Sequence, residues 1–165
     1  MNVTISKRSL GSAFFYFMKQ KLFYFLMNFW PPFLGSGISF RVIEQNPLAF
    51  KVRLRFSFYN KNYVGVQYGG SLYSMCDPWF MLILMDALGT DFIVWDKAAS
   101  IKFLKPGKSS VNAVFKIDPA KIESIRLDAL SHGKTEPALE VSIFDEHNQE
   151  IARVTKTLWV KSKHS

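Results

Sequence analysis

The feature that most constrains the fold is a long apolar segment, residues 71–88, that lies between stretches of strand-like alternation. Its apolar side chains leave almost no polar face, which predicts a helix buried on all sides. Pro78 predicts a kink or a local restart inside this helix, and Gly89 is a natural C-cap. Because the remaining sequence predicts mainly antiparallel strands, only a sheet is large enough to cover the helix.

Alternation of apolar and polar residues precedes and follows this helix, as in strands with one buried face. The predicted strands are residues 38–42, 50–58, 92–104, 111–117, 138–144 and 151–160. Asp118 and Pro119 predict the N-cap and first position of a short helix between two of them. The order of elements therefore predicts an α+β domain with one central helix.

Residues 13–30 are the most apolar run of the chain, and Pro31 and Pro32 follow it. Since proline cannot continue a helix, the run predicts an N-terminal helix that ends there. We expect this aromatic helix to pack on the domain. The chain then divides into an N-terminal part, residues 1–35, and a main domain, residues 36–165.

A membrane role for residues 13–30 stays open as an alternative. The run is short for a span, and Lys19 and Lys21 fall near its middle, where each charge opposes insertion. A helix lying in the membrane interface, with both lysines on its polar side, fits the pattern better than a span does.

The charge of the chain is unevenly distributed. Lys and Arg number 21 against 13 Asp and Glu, a net charge of +8. Residues 1–76 carry nine of the cations and one acid, whereas residues 77–165 carry twelve of each sign. Such a basic part indicates an anionic partner: nucleic acid, a membrane surface or a phosphate-bearing small molecule. No recognised nucleic-acid-binding motif accompanies the cations, so we expect no nucleic acid partner.

Few residues offer catalytic chemistry. The three histidines lie in predicted turns and in the C-terminal tail, which disfavours a Ser-His-Asp triad or a multi-histidine metal site. We therefore expect no metal and no resident cofactor. The single cysteine, Cys76, predicts an inert core thiol and excludes an intramolecular disulfide. It suits a reducing compartment, and we expect a cytoplasmic protein.

Asp77 is the exception, because it places a carboxylate within the most apolar helix. A buried carboxylate needs partners or a raised pKa. One interpretation is a capping or core-network aspartate beside Pro78. The other is a general base or nucleophile in a pocket, with the amides of Gly69 and Gly70 polarising a carbonyl oxygen. A thioester suits a site with so few catalytic groups, because it is more electrophilic than an amide or an ordinary ester.

Residues 62–70 read Asn-x-x-Gly-x-x-Tyr-Gly-Gly, and Asp77 follows seven residues after the last glycine. This pattern resembles the Asn-x-x-Gly-x-x-His-Gly-Gly and Asp signature of hotdog-fold acyl-CoA thioesterases of the phenylacetate-pathway type. Residues 94–99 and 103–107 resemble a bacterial family of unknown function within that superfamily. The resemblance covers residues 38–161. It implies a hotdog fold, a central helix wrapped by a curved antiparallel sheet, and a dimer or dimer of dimers with active sites between subunits.

The resemblance also implies roles for particular residues. Asp77 is expected to be the base or nucleophile, the Gly69 amide to bind the thioester oxygen, and Asn62 to orient water or the carbonyl. Gly70 and Tyr68 are expected to contact substrate. Tyr68 stands where the thioesterases carry histidine, and it can donate a hydrogen bond but cannot act as a base near neutral pH.

Three further residues complete the predicted site. The resemblance places Asp96 near a second polar catalytic position, with pairing to Lys97 or another cation as the alternative. Lys105 and Lys108 are expected to contact the phosphates of coenzyme A, or to lie in a solvated turn. The sequence therefore predicts an acyl-CoA thioesterase, with a non-catalytic acyl-CoA- or lipid-binding protein as the alternative.

Overall fold

The chain builds one antiparallel sheet and packs its helices against it. The computed structural model describes residues 22–164, and residues 22–27 of these are helical. The helices that follow are α1 (Pro31–Ser36), α2 (Gly69–Ser74), α3 (Trp79–Leu88) and α4 (Pro119–His132). The strands are β1 (Ile38–Gln45), β2 (Leu48–Leu54), β3 (Phe92–Phe103), β4 (Val111–Phe115), β5 (Lys134–Thr135), β6 (Ala138–Asp145) and β7 (Glu150–Ser162).

The strands are ordered β1-β2-β4-β6-β7-β3, and the short β5 pairs with β7. Every pairing is antiparallel. β1 and β3 therefore lie at the two edges of the described sheet. β3 is 12 residues long and shifts register against β7 between Asp96 and Ala98. The predicted α+β architecture is confirmed.

The core forms where α3 faces the inner side of the sheet. Trp79 at the start of α3 is fully buried, with ring centroids 4.4 Å from Phe40 and 4.9 Å from Phe50. Ile83 and Leu84, one turn further along, are equally buried. Each such side chain contributes roughly 1.5–3 kcal/mol through burial. The opposite side of α3 carries exposed Met85 and Asp86, so the expectation of a helix buried on all sides is not met.

The predicted helix over residues 71–88 begins two residues earlier and is interrupted. α2 ends at Ser74 and α3 begins at Trp79, so the restart predicted at Pro78 is confirmed. The Trp79 Nε1–H donates to the Met75 carbonyl oxygen at 2.6 Å across the break. The interruption places Asp77 in a short connection between two helices, where its side chain leaves the helical repeat.

The predicted helix over residues 13–30 is wrong at its C-terminal end. Within its described part, the helix ends at residue 27, and Pro31 and Pro32 start α1 instead of following a helix end. Proline is well accommodated in the first turn of a helix, because the N–H it lacks has no intrahelical acceptor there. Residues 13–21 lie outside the described part of the chain. Among residues 22–164, no helix is long and apolar enough to cross a membrane.

The second strand also ends earlier than predicted. β2 stops at Leu54, and Phe58 is 88% exposed. The chain turns away because buried Asn60 organises the next residues, its Oδ1 accepting from the Ser57 N–H at 2.9 Å. Its Nδ2 donates to the Ser36 carbonyl oxygen at 3.1 Å. The alternation of apolar and polar residues therefore continues beyond the end of β2.

The helix predicted at Asp118 is confirmed and extends over 14 residues. Asp118 Oδ1 accepts from the Ala120 N–H at 2.8 Å, as an N-cap does. From this helix Arg126 donates to the Ala87 carbonyl oxygen at 2.7 Å. A cation at the C-terminal end of α3 satisfies carbonyl groups that have no intrahelical partner.

Candidate functional site

Two regions of the structure contain the predicted site residues, and α2 lies between them. The first, which we term the loop cavity, has a volume of about 690 Å³. Loop residues before α2 and the turn after β3 form its walls. Of the predicted residues, it brings together Asn62, Gly69, Lys105 and Lys108.

Close packing at two glycines shapes the loop cavity. A Cβ atom at Gly69 would lie 3.0 Å from Cζ of Phe103, so the ring closes against the start of α2. A Cβ atom at Gly107 would lie 3.1 Å from Cγ of Gln67. The Gln67 N–H donates to the Gly107 carbonyl oxygen at 2.8 Å, which ties the two loops together.

Asn62 holds the loop that it belongs to. Its Oδ1 accepts from the N–H groups of Val64 at 3.0 Å and Val66 at 3.1 Å. This Asx-type arrangement fixes the turn, as asparagine commonly does. Its oxygen is thus occupied by the loop, and its Nδ2 group is the part that can donate to a ligand.

Tyr68 and Gly70 do not line the loop cavity. Tyr68 is the N-cap residue of α2, and its side chain is not the cap. Its ring is 57% exposed, and it covers Gly70, where a Cβ atom would lie 2.5 Å from Cε1 of Tyr68. Tyr68 therefore lies outside the cavity wall.

The second region is a charged cluster centred on Lys156, which we term the Lys156 cluster. Lys156 lies in β7, and its side chain is fully buried. Its Nζ lies 3.0 Å from Asp77 Oδ1 and 2.9 Å from Asp96 Oδ2. It also donates to the backbone carbonyl of Asp77. The Tyr73 hydroxyl donates to Asp77 Oδ1 at 3.3 Å, completing the cluster.

The Lys156 cluster corrects one expectation and shows the partner of Asp96. The Asp77 side chain is 55% exposed, so the expectation of a buried carboxylate is wrong. The break between α2 and α3 is the reason, because it turns the residue out of the apolar helix. Asp96 pairs with a cation, as the alternative held, but that cation is Lys156. Lys97 pairs with Glu136 at 2.7 Å instead.

Electrostatics in the Lys156 cluster favour a charged lysine. Burial opposes the ammonium form, but hydrogen bonds and attraction from Asp96 and Asp77 outweigh it and raise the pKa of Lys156. Burial raises the pKa of Asp96, and the contacts with Lys156 act against that rise. One ammonium thus lies between two carboxylates and lessens their mutual repulsion.

Two neighbouring groups remain protonated at neutral pH. Burial raises the pKa of the Cys76 thiol to about 12, so this residue is a neutral core thiol. Burial also raises the pKa of Tyr73, with Lys156 acting in the opposite direction. Tyr73 is therefore a hydrogen-bond donor to Asp77.

Sequence reasoning missed Lys156, although the sequence contains a signal for it. Residues 151–160 were predicted to form a strand, and β7 alternates in burial along its length. Val154, Lys156 and Leu158 share the buried face of that strand. A lysine at an inward position of a strand almost always has a charged partner. The alternation therefore predicts that Lys156 is paired, but it does not identify the partners.

Gly69 and Asp77 lie at opposite ends of α2. Six helical residues span roughly 9 Å, and Asp77 lies three residues beyond the end of the helix. Within one chain, the loop cavity and the Lys156 cluster are therefore two separate regions.

Comparisons with known proteins agree with the fold. Residues 19–160 match the model of a family described as a domain of unknown function, DUF4442. A Pseudomonas aeruginosa protein of unknown function, described as a probable thioesterase, has 22% identity and a TM-score of 0.74, covering 87% of this chain and 95% of its own. No curated protein matches the chain.

Two further solved structures are similar. A protein of unknown function from Chlorobaculum tepidum has 14% identity and a TM-score of 0.67, with 88% of this chain and 95% of that chain covered. A Haemophilus influenzae thioesterase has 15% identity and a TM-score of 0.55, with 78% and 80% covered. At these identities the likeness shows the fold, and it confirms the predicted hotdog architecture.

Proposed function

The chain belongs to the DUF4442 family, and we propose that it hydrolyses an acyl-CoA-like thioester at a site completed by a second copy of the chain. The observation that carries this proposal is the composition of the loop cavity. The Gly69 backbone lines it together with Lys105 and Lys108. The loop cavity is thus bordered by a backbone N–H that can polarise a carbonyl and by two cations that can attract phosphate.

The loop cavity suits a ligand that is apolar at one end and anionic at the other. Its volume of about 690 Å³ falls in the usual range for small-molecule pockets. Leu72, Phe103 and Leu104 provide apolar wall for an acyl chain. Lys105 and Lys108 are exposed, so their ammonium groups can contact phosphates outside the apolar part.

Polarisation of the thioester is assigned to the backbone of Gly69. Gly69 is the first residue of α2, so its N–H has no acceptor within the helix. An N–H donor aimed at the carbonyl oxygen stabilises the negative charge that develops there during attack. The Asn62 Nδ2 group, on the same cavity wall, is placed to orient the carbonyl or the attacking water.

Asp77 is assigned as the general base. Its carboxylate accepts a proton from water, and the water oxygen bonds to the thioester carbonyl carbon. The C–S bond then breaks, giving a carboxylic acid and a thiolate that takes up the proton. Lys156 and Tyr73 hold the Asp77 carboxylate in one orientation, which favours a defined position for the water.

In this proposal, a second subunit brings the Lys156 cluster of one chain to the loop cavity of the other. β3 lies at the edge of the sheet and leaves 12 residues able to pair with another strand. A strand of a second subunit can approach the middle of β3 closely, because the residues there are small: Ala98, Ala99 and Ser100. We infer a homodimer in which Asp77 of one chain faces the loop cavity of the other.

The test is thioester release across a panel of acyl-CoA chain lengths. Asp77→Asn keeps the shape of the side chain but removes the base, so we expect a loss of about 10²–10⁴-fold in kcat. Asp128→Asn, at an exposed position of α4, is the matched control. Release from no acyl-CoA, or an equal rate in Asp77→Asn, would contradict the proposal.

A non-catalytic acyl-thioester- or lipid-binding protein is the second candidate. The contacts of Asp77 favour it, because Lys156 and Tyr73 already occupy the carboxylate oxygen Oδ1. Tyr68 in place of histidine favours it as well. Calorimetry with a non-hydrolysable acyl-CoA analogue separates the candidates when combined with the release assay: tight binding without turnover supports the second.

A further inference from the structure

Residues 22–34 present an unusual amount of apolar surface to solvent. The segment contains no charged residue. Seven of its large apolar side chains are each more than half exposed. We term these residues the aromatic face: Leu22, Phe23, Phe25, Leu26, Phe29, Trp30 and Leu34. Contiguous apolar patches of this kind mark interaction surfaces in soluble domains.

The fold holds the aromatic face outward. Tyr24 and Phe33 from the same segment are buried, with ring centroids 5.3 Å from Phe50 and 5.7 Å from Trp79. The Asn28 Oδ1 accepts from the backbone N–H of Phe40 at 2.9 Å. Because these contacts fix the segment from beneath, its remaining apolar side chains cannot turn into the core.

Arg41 borders the aromatic face at the edge of the sheet, whereas Lys51 extends from the side of the sheet opposite to Phe50 and Tyr24. Arg41 of β1 and Phe25 line one shared depression of about 310 Å³. Lys51 of β2 is the register partner of Arg41, so both side chains extend from the same side of the sheet. Among residues 22–164, neither Arg41 nor Lys51 forms an ion pair, whereas the neighbouring Arg53 pairs with Glu146 at 3.2 Å.

We propose that the aromatic face docks the protein onto an anionic lipid surface. The aromatic side chains lie at the boundary between headgroups and acyl chains, where amphipathic rings are most stable. Arg41 lies at the level of the lipid phosphates, which attract basic residues near the membrane surface. This proposal does not depend on thioester hydrolysis.

Charge distribution argues for a lipid surface over a second copy of the chain. Between residues 22 and 55, the sequence has one acid, Glu44, against Arg41, Lys51, Arg53 and Arg55. A symmetric interface on the aromatic face would bring Arg41 of the two copies together beside segments 22–34 that carry no acid. An anionic membrane provides the opposite charge along with an apolar layer.

The test is flotation of the full chain with vesicles. One set is phosphatidylcholine alone, and the other is equal parts phosphatidylcholine and phosphatidylglycerol. We expect the wild type to float with the anionic set, and the triple variant Phe25→Ser, Phe29→Ser, Trp30→Ser to lose about tenfold or more in partitioning. The matched control is Phe58→Ser, Tyr63→Ser, which removes two exposed aromatic residues outside the aromatic face.

A second variant tests the role of charge. Arg41→Gln is expected to weaken the preference for anionic over neutral vesicles and the sensitivity of binding to salt. Lys51→Gln, on the opposite side of the sheet from Phe50, is the matched control. Equal flotation of the wild type and the triple variant would overturn the proposal. So would a wild type that fails to float and whose oligomeric state, measured by light scattering, changes in the triple variant, because a protein partner would then occupy the face.

Discussion

The loop cavity and the Lys156 cluster lie at opposite ends of α2 and are built on different principles. The cavity is assembled from turns whose backbones pack closely at Gly69 and Gly107. The cluster is assembled from side chains far apart in sequence, around one buried ammonium. We therefore expect activity at the cavity to fall when volume is added and to change little when charges at its rim are removed. We expect the stability of the fold to fall when charge is removed from the cluster.

The largest effect is expected for Lys156→Ala. It removes the cation between Asp77 and Asp96 and leaves a void in the core, so we expect the free energy of unfolding to fall by about 2–4 kcal/mol. Because Asp77 is 55% exposed, solvent limits the penalty for its unpaired charge. Urea unfolding measures the change.

Lys156→Met is the control for this prediction, since it keeps most of the volume and removes only the charge. We expect a smaller loss of about 1 kcal/mol, from the repulsion left between the two carboxylates. An unfolding free energy of Lys156→Ala within error of the wild type would show that the cluster does not support the fold.

A second effect is expected at alkaline pH. The pKa of Cys76 rises from the ordinary thiol value of 9.0 to about 12 in the folded chain. A group with a raised folded-state pKa stabilises the fold fully below its unfolded pKa, and that stabilisation is lost as pH rises through the folded value. The unfolding free energy should therefore fall by a few kcal/mol between pH 9.0 and about 12.

Cys76→Ala isolates the contribution of the thiol. Lys156 and Tyr73 also have raised pKa values, so the variant should keep part of the alkaline loss and show a shallower slope. Urea unfolding over this pH range gives both slopes. Parallel slopes in the wild type and the variant would mean that Cys76 does not titrate with unfolding.

An intermediate effect is expected for Gly69→Ala in the loop cavity. The added Cβ would meet Cζ of Phe103 at 3.0 Å, so the ring must shift toward the space that a ligand would occupy. We expect kcat/KM for acyl-CoA to fall about tenfold, near 1.4 kcal/mol. Gly35→Ala is the matched control, because nothing lies within 4 Å of its Cβ position. Equal losses in both variants would exclude a specific role for the close packing at Gly69.

The smallest effect is expected for Lys105→Ala, Lys108→Ala at the rim of the cavity. Exposed charge contacts contribute about 0.2–1 kcal/mol each, so KM for acyl-CoA should rise a few-fold and respond to salt. An acyl-pantetheine substrate, which lacks the nucleotide phosphates, should show no such rise. Lys121→Ala, an exposed lysine of α4, serves as the control. A comparable rise with acyl-pantetheine would remove the phosphate-binding role.

Local chemistry explains which parts of the structure could be predicted. The strands β3, β6 and β7 lie close to their predicted ranges because alternation over many residues reports directly on a half-buried strand. The N-cap at Asp118 was predictable because its side chain bonds only two residues away. By contrast, Pro31 was expected to follow a helix end and starts a helix instead, since proline is compatible with both positions.

The sequence by itself determined the α+β class and the central helix with its break at Pro78. These features depend on periodicity and on proline chemistry, and the residues that determine each feature are close together in the sequence. Only the tertiary structure decided that Lys156 pairs with Asp77 and Asp96, because strand order, and not sequence distance, brings β7 beside β3. It also decided that the Phe103 ring closes against Gly69, because the end of β3 packs on the start of α2.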